Sequence, residues 1–320
     1  MQPILFKKQL FEKIWGGRNF KEILNIPLPD SLFYGESWEI SGEKTHVSVA
    51  ATGIFKEKNI NELIHEYGDR ILGRGLTKKF NCSFPLLVKF LDINDKLSIQ
   101  VHPDNKYAKK NENSFGKHES WYVIHASEDA EMILGLKKNI KKTAIIEKLK
   151  SEPLDEIFNI VKIKVGDFVN ITPGTVHATF KGSIMVYEVQ QTSDATYRLY
   201  DYDRVYNGKK RELHLDRAID VIRENSRTEI ININPQKKEK NCEIISLTKN
   251  RFYKIDKLVI DGTHSEKPYK YFKILSAVSG EGKIIHSGEN YELKAGMTYL
   301  IPANLKFDVS GRLEILESYI

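Results

Sequence analysis

The chain reads as mainly β, of the antiparallel sandwich or barrel type. Three observations carry that reading. Phe84 to Asp92 is an apolar run of strand length. Leu97 to His102 alternates so that Ser98, Gln100 and His102 point to one face and Leu97, Ile99 and Val101 to the other. Further strand candidates at Trp121 to His125, Ala130 to Leu134, Asp167 to Ile171 and Ser183 to Gln190 are separated by clusters of Gly, Pro, Asn and Asp.

Helical patterns are fewer. Asn61 to Leu72 sets Leu63, Ile64, Tyr67, Ile71 and Leu72 at helical spacing, with Gly73 as the stop. Lys141 to Leu149 and Glu212 to Arg223 repeat the pattern, so helices are expected as insertions and a connector around a β framework. Ile230 to Asn241 reads as a linker, and the chain is strand-rich again beyond it. There is also an internal echo. Lys164 to His177 and Lys294 to Lys306 each run from a Gly turn into a strand and a Pro turn. The residue four positions after the Pro is His177 in the first and Lys306 in the second. Either one β unit occurs twice, the second lacking a potential ligand, or two hairpin-like segments match by chance.

Composition narrows the function classes. Lys+Arg 49 against Asp+Glu 43 leaves +6, and the basic runs are short and interleaved with acids. No clustered face for nucleic acid emerges. No apolar run approaches the roughly 18 residues that cross a bilayer, and Met1 to Lys8 lacks the apolar stretch of a signal peptide. Cys82 and Cys242 match no metal or redox spacing, which fits reduced thiols. A cytoplasmic globular enzyme is expected, with no nucleic-acid or membrane partner.

Three segments could carry chemistry. In Gln100-Val101-His102-Pro103-Asp104, Gln100 and His102 share a strand face about 7 Å apart and could converge on one ion. Glu119 opens an aromatic, apolar strand, where an unpaired buried carboxylate is costly. A bound cation or solvent exposure would each satisfy it. His177 follows the turn Pro173-Gly174-Thr175-Val176. Two imidazoles and a carboxylate, with an amide oxygen as an optional fourth, suit Zn²⁺ or another borderline divalent metal.

The order Gln-x-His-Pro-Asp, Lys-x-Glu before an aromatic strand, and Pro-Gly-Thr-Val-His-Ala resembles the metal-binding pattern of bicupin enzymes. More closely, the chain resembles the short bacterial form of type I mannose-6-phosphate isomerase (phosphomannose isomerase). The likeness runs through Trp15-Gly16-Gly17, Gly35 to Ser41, Phe84 to Asn105, Lys117 to Ile124, His177 and Ser193 to Asp201, and is less distinct after about residue 230. It implies a bicupin of two jelly-roll β-barrels with helical insertions in the N-terminal part. Residues 1–235 would be a metal-binding catalytic cupin domain and 236–320 a cupin-like β domain without metal ligands. It implies one Zn²⁺ per chain on His102, Glu119 and His177, with Gln100 at the position of a fourth ligand in longer relatives. It also implies that Arg198 and Lys117 are catalytic.

The implied reaction interconverts D-mannose 6-phosphate and D-fructose 6-phosphate by proton transfer through a cis-enediol. The partner is a small sugar phosphate, and the chain a monomer or homodimer. Lys117 serves as the base if it can lose its proton, or otherwise as an electrostatic or phosphate contact. Lys89 either faces the pocket and touches phosphate or snorkels to the surface. Ser98, on the face of Gln100 and His102, either reaches the substrate or bonds locally. Two other functions fit the same fold, an iron-dependent cupin oxygenase and a non-catalytic sugar-phosphate-binding cupin.

Overall fold

The computed structural model describes residues 1–29, 32–206, 208–226, 228, 230–231 and 237–320. The expected break between residues 235 and 236, and residues 232–236 of the expected linker, lie outside the described residues. On either side the chain is extended, at Ile230–Ile231 and Lys237–Glu239.

The expected strands form, with shifted ends. Leu86–Ile93, Glu119–Ala126, Glu131–Leu136, Phe168–Ile171 and Ile184–Gln191 match five of the runs. The alternating segment is regular only over Ile99–Val101. A seven-stranded sheet runs in the order Ile230–Ile231, Phe168–Ile171, Glu119–Ala126, Ile184–Gln191, Leu86–Ile93, Tyr34–Ile40, Gln9–Gly17. A five-stranded sheet runs Tyr197–Tyr200, Ile99–Val101, His177–Lys181, Glu131–Leu136, Phe158–Lys162. An eight-stranded sheet holds the C-terminal part, and Ile4–Leu5 from the chain's start pairs into it against Thr298–Ile301. The larger ladders are antiparallel, as period-2 strands joined by short turns require.

Strand alternation divides the apolar residues between three cores. Leu91, Ile93, Trp121, Val123, Ile184 and Val186 of the seven-stranded sheet meet Leu97, Ile99 and Val101 of the five-stranded one. On the opposite face, Phe90, Tyr122, Met185, Tyr187 and Val189 pack with Leu63 and Ile64 and with C-terminal Tyr253, Ile255, Phe272 and Leu316. The third core is internal to the C-terminal sheet, around Leu258, Leu275, Ile284, Val309 and Ile315. A sheet covered on both faces reads as a continuous apolar run, which is why Leu86–Ile93 is buried throughout.

The helix expected over 61–72 is two helices, Ile60–Tyr67 and Asp69–Leu72, broken at Gly68. Asn59 starts the first by accepting from Glu62 N while the Glu62 side chain accepts from Asn59 N. The pattern over 141–149 is a 3₁₀ turn, Lys142–Ala144, running into Ile145–Ser151. The third helix is shorter than expected, Leu215–Val221, and begins after His214. The echo also has a structural counterpart. Gly166 and Gly296 take nearly equal φ, 88° and 85°, and lead into Phe168–Ile171 and Thr298–Ile301. His177 is then wholly buried, whereas Lys306 is exposed. Cys82 and Cys242 are free thiols. Among the described residues no helix is long and apolar enough to cross a membrane.

Gly73 joins the helical segment to the C-terminal sheet through its bridge to Tyr271. Its φ is 104°, and a Cβ there would stand 2.4 Å from the Lys270 carbonyl oxygen. Gly75 has a φ of 84° with nothing within 4 Å of a Cβ. Gly75→Ala should therefore cost only the left-handed strain, about 1–2 kcal/mol. Gly73→Ala should cost clearly more, about 3–4 kcal/mol, because backbone must move as well. Urea unfolding of the two variants checks the difference, and equal losses would refute the close packing.

Candidate active site

Register brings the predicted residues together. His177 and Arg198 both lie directly opposite Gln100, on its two neighbouring strands. Directly opposed residues share a face, so Arg198, Gln100 and His177 form one row across the five-stranded sheet. On the facing sheet, Trp38, Lys89, Glu188 and Trp121 form a second row, and Glu119 lies opposite Gln190.

Local structure then aims the ligands. Asp104 caps the helix Asn105–Asn111 by accepting from Tyr107 N. The Asn105 side chain accepts from Gly116 N, and Lys117 N donates to Pro103 O at 3.0 Å. Gly116 is needed for this approach, since a Cβ would stand 2.4 Å from the Asp104 carbonyl carbon. The segment leading into Glu119 is thus tied to the end of the strand carrying His102. Gly174 N donates to His102 O at 2.9 Å, which ties the turn before His177 to the same residue.

His102, Glu119 and His177 converge, with one ligand atom from each all lying within 4.8 Å of one another, and all three are buried. His102 Nδ1 donates to Ala195 O at 3.0 Å and His177 Nδ1 to Thr175 O at 3.1 Å. Carbonyls only accept, so each Nδ1 carries a proton, and in the neutral ring Nε2 presents a lone pair. Those Nε2 atoms stand 3.3 and 3.1 Å from the two Glu119 oxygens. Burial, reinforced by the Lys117 ammonium, pushes the His102 pKa down to about 3, so its ring is neutral. Burial works to raise the Glu119 pKa, but the Lys117 ammonium, 3.0 Å away, holds it well below the usual carboxylate range. His102 Nε2 and Glu119 Oε1 have no hydrogen-bond partner, and Glu119 Oε2 has only the Lys117 ammonium beside it. Lone pairs facing lone pairs without an intervening proton call for a cation. The donor set, two neutral imidazoles and a carboxylate, fits a divalent metal. Gln100 is alongside, its Nε2 3.4 Å from His177 Nε2.

Lys89, Ser98, Gln100, Lys117 and Arg198 all line one cavity of about 230 Å³. A larger cavity of about 700 Å³, between residues 23–27 and the C-terminal sheet, contains none of them. Chemistry rather than size therefore selects the smaller one. Lys89 does not snorkel to the surface. It lies 3.6 Å from Glu188, 3.7 Å from Glu36 and 4.7 Å from the centre of the Trp38 ring. Burial alone would raise the Glu36 pKa, but Lys89, Lys13 and the Trp38 N–H bring it to about 2. Burial raises the Glu188 pKa against the pull of Lys89. Arg198 Nε is buried without a hydrogen-bond partner, and the Arg198 backbone N–H donates to His214 Nδ1 at 3.3 Å.

Several residues near these motifs have other partners. His118 lies outside the cavity, buried against Phe252 and Tyr253. Asp201 pairs with Arg204 at 2.6 Å and Arg211 at 3.4 Å rather than with Arg198. Tyr197 turns its hydroxyl to Glu112, outside the cavity. His46 lines the cavity, packed on Phe11 and Trp38. Glu188 and Arg211 also line it and were not anticipated. Glu188 carried a usable signal, a carboxylate at an inward position of an apolar strand. Arg211 carried none, being outside any periodic segment.

Comparison with known proteins agrees with this geometry. Residues 243–320 match the family described as mannose-6-phosphate isomerase, cupin domain, so the fold is mainly β with a cupin domain. Residues 4–144 match phosphomannose isomerase type I, catalytic domain. The chain is 37% identical to the mannose-6-phosphate isomerase ManA of Bacillus subtilis, over 100% of this chain and 99% of that one. It is 35% identical to the mannose-6-phosphate isomerase of Streptococcus mutans, over 99% and 98%. Its structure superposes on a crystal structure of the Bacillus subtilis mannose 6-phosphate isomerase with a TM-score of 0.90 at 33% identity, covering both chains fully. A phosphomannose isomerase variant from Salmonella typhimurium, at 15% identity and TM-score 0.77 over 100% and 99% of the two chains, shares the fold. The chain belongs to the type I phosphomannose isomerase family and is an enzyme.

Removing Lys89 leaves Glu188 buried without its cation. Lys89→Met should cost about 3 kcal/mol at pH 8 and less at pH 5. The sign follows from the raised Glu188 pKa. Stability held by its protonated form is complete below the unfolded value, 4.5, and is lost as pH rises through the folded one. Urea unfolding at both pH values checks this, and a deficit independent of pH would contradict it.

Proposed function

We propose that the chain is a zinc-dependent aldose–ketose isomerase that interconverts D-mannose 6-phosphate and D-fructose 6-phosphate. The observation that carries the reading is the junction of the triad with a cation-rich cavity. Gln100 and Lys117, both touching the triad, line a cavity with five basic side chains, Lys13, Lys89, Lys117, Arg198 and Arg211, against three acidic ones, Glu36, Glu188 and Asp194. That surplus suits an anionic sugar. The names of the relatives point to the same substrate.

His102, Glu119 and His177 hold one metal ion, with Gln100 able to complete the set. Its amide shows nitrogen to His177 and would offer oxygen after a half-turn. When bound, zinc supplies Lewis acidity toward sugar oxygens. The isomerisation takes the proton from C2 as the C1 carbonyl oxygen gains one, giving a C1–C2 enediol, and then returns a proton at C1 as the C2 hydroxyl gives up its own and becomes the ketone. Lys117, beside Glu119, holds or moves that proton in this reading. Arg198, with its free Nε, binds an enediolate or phosphate oxygen. Ser98 binds a sugar hydroxyl. Lys89 already faces two carboxylates, which makes it a weaker phosphate contact than Arg198.

The reading extends to architecture and setting. The chain is a bicupin divided near residue 235, with helical insertions in the first barrel. Its support is the pair of facing sheets around one core, the separate core of the C-terminal sheet, and family matches ending at 144 and beginning at 243. A cytoplasmic setting, as a monomer or homodimer, fits the free thiols.

A coupled assay of mannose 6-phosphate turnover, with and without chelator, tests the proposal. Activity should vanish on metal removal and return with zinc. Arg198→Ala should lower kcat on the order of 10²–10³-fold while retaining zinc, and His102→Ala should lose the metal. Metal-replete protein without turnover would overturn the reading.

A further inference from the structure

The segment that delivers Lys117 and Glu119 has two faces, and the active site uses only one. Lys117 and Trp121 line the cavity and Glu119 joins the triad. His118, Ser120 and Tyr122 point the opposite way, to the C-terminal sheet. The turn between strands Cys242–Lys249 and Lys254–Glu266 meets the first two. His118 packs tilted against Phe252 and edge-on against Tyr253, with ring centres 5.5 and 5.8 Å apart. Its backbone N–H donates to Gln191 Oε1 at 3.3 Å. Ser120 Oγ donates to Asn170 Oδ1 at 2.7 Å, so Tyr253 OH is the donor in its 2.9 Å bond to Ser120 Oγ. Asn170 Nδ2 in turn donates to Thr248 Oγ1 at 3.2 Å. Ser120 is fully buried and Tyr253 nearly so. The turn is itself braced, Asn250 Oδ1 accepting from both Phe252 N and Tyr253 N at 2.8 and 3.0 Å.

Both sequence neighbours of Glu119 are therefore gripped by residues 248–253, more than 120 positions away in the chain. A strand held on alternate residues cannot slide or tilt without moving the residue between them. The spacing of a catalytic group from its substrate matters at the scale of about 1 Å, which can be worth 10²-fold in rate.

We propose that Tyr253 is a positioning residue for the isomerase reaction. Through Ser120 it fixes where Glu119 and Lys117 stand, and this is how the metal-free C-terminal unit serves catalysis. The assignment rests on the isomerase reading for its kinetic arm only.

The test uses full-length Tyr253→Phe, Ser120→Ala and the double variant. Each is assayed for kcat and KM and, after metal removal, loaded with Co²⁺ to record the visible absorption band. Lys257→Met is the control, since it removes the 2.9 Å contact of Lys257 with the Tyr122 hydroxyl farther along the strand. Tyr253→Phe is expected to lower kcat five- to fiftyfold, with KM within twofold, and to shift the Co²⁺ band. Ser120→Ala should do the same, and the double variant should be no worse than the more impaired single one. Lys257→Met should stay within twofold of the parent in kcat. An unchanged kcat and band in Tyr253→Phe overturns the assignment, as do additive losses or an equal effect of Lys257→Met. If Tyr253→Phe does not fold, the smaller Ser120→Ala change carries the same readouts. If the parent turns over no mannose 6-phosphate, the isomerase reading fails by itself, and the Co²⁺ band still decides the positioning role.

Discussion

A carboxylate shut away from water between two neutral imidazoles is the constraint on which the rest of the structure turns. Glu119 is wholly buried and faces the Nε2 atoms of two imidazoles whose Nδ1 protons are given to carbonyls. Lys117 neutralises one side of it. An arrangement this costly in desolvation persists only if its surroundings hold it in place and a cation completes it. Three separate strands must deliver the ligands, and none of the three can drift. The turn before His177 bonds to His102 O, and Lys117 N bonds to the carbonyl after His102, so the two imidazoles and the carboxylate share one frame.

The same frame sets the charge of the cavity. Lys89 is balanced by Glu36 and Glu188, and Arg211 partly by Asp201. Arg198 keeps an unpartnered Nε, so among the cavity's predicted cations it retains the most capacity for a new anion. Buried charges that are mutually satisfied act as scaffold, and those that are not are where a ligand gains most.

The sequence made the metal face readable because strand alternation is local. Gln100 and His102 on one side of a strand, and Ile99 and Val101 on the other, require no long-range knowledge. Lys89 stayed undecided between pocket and surface because alternation inside a strand apolar on both faces does not say which face is the pocket, and the same holds for Glu188 in Ile184–Gln191. His118 was beyond such reasoning. Its surroundings are Phe252 and Tyr253, contributed from across the chain, and nothing in residues 117–119 marks that contact. The helix over 61–72 failed at Gly68 for a related reason, since periodicity continued through a residue whose backbone conformation ends a helix.

The C-terminal sheet has a structural task of its own. Lys306, four positions after Pro302 as His177 is after Pro173, is exposed. The C-terminal sheet instead covers the outer face of the seven-stranded sheet, where Phe90, Met185, Tyr187 and Val189 are almost wholly buried. Each such side chain contributes about 1.5–3 kcal/mol when removed from water. Uncovered, that face would be a continuous apolar patch on the back of the strands carrying Lys89, Glu119 and Glu188. The chain's own start adds a tie across the same boundary, where Lys8 contacts both Glu39 and the Gly296 carbonyl and Ile4–Leu5 joins the C-terminal sheet. The two units therefore cannot be treated as a catalytic part and a dispensable one. The strands that carry Glu119 and Lys89 have one face in the active site and the other in the core shared with the C-terminal sheet.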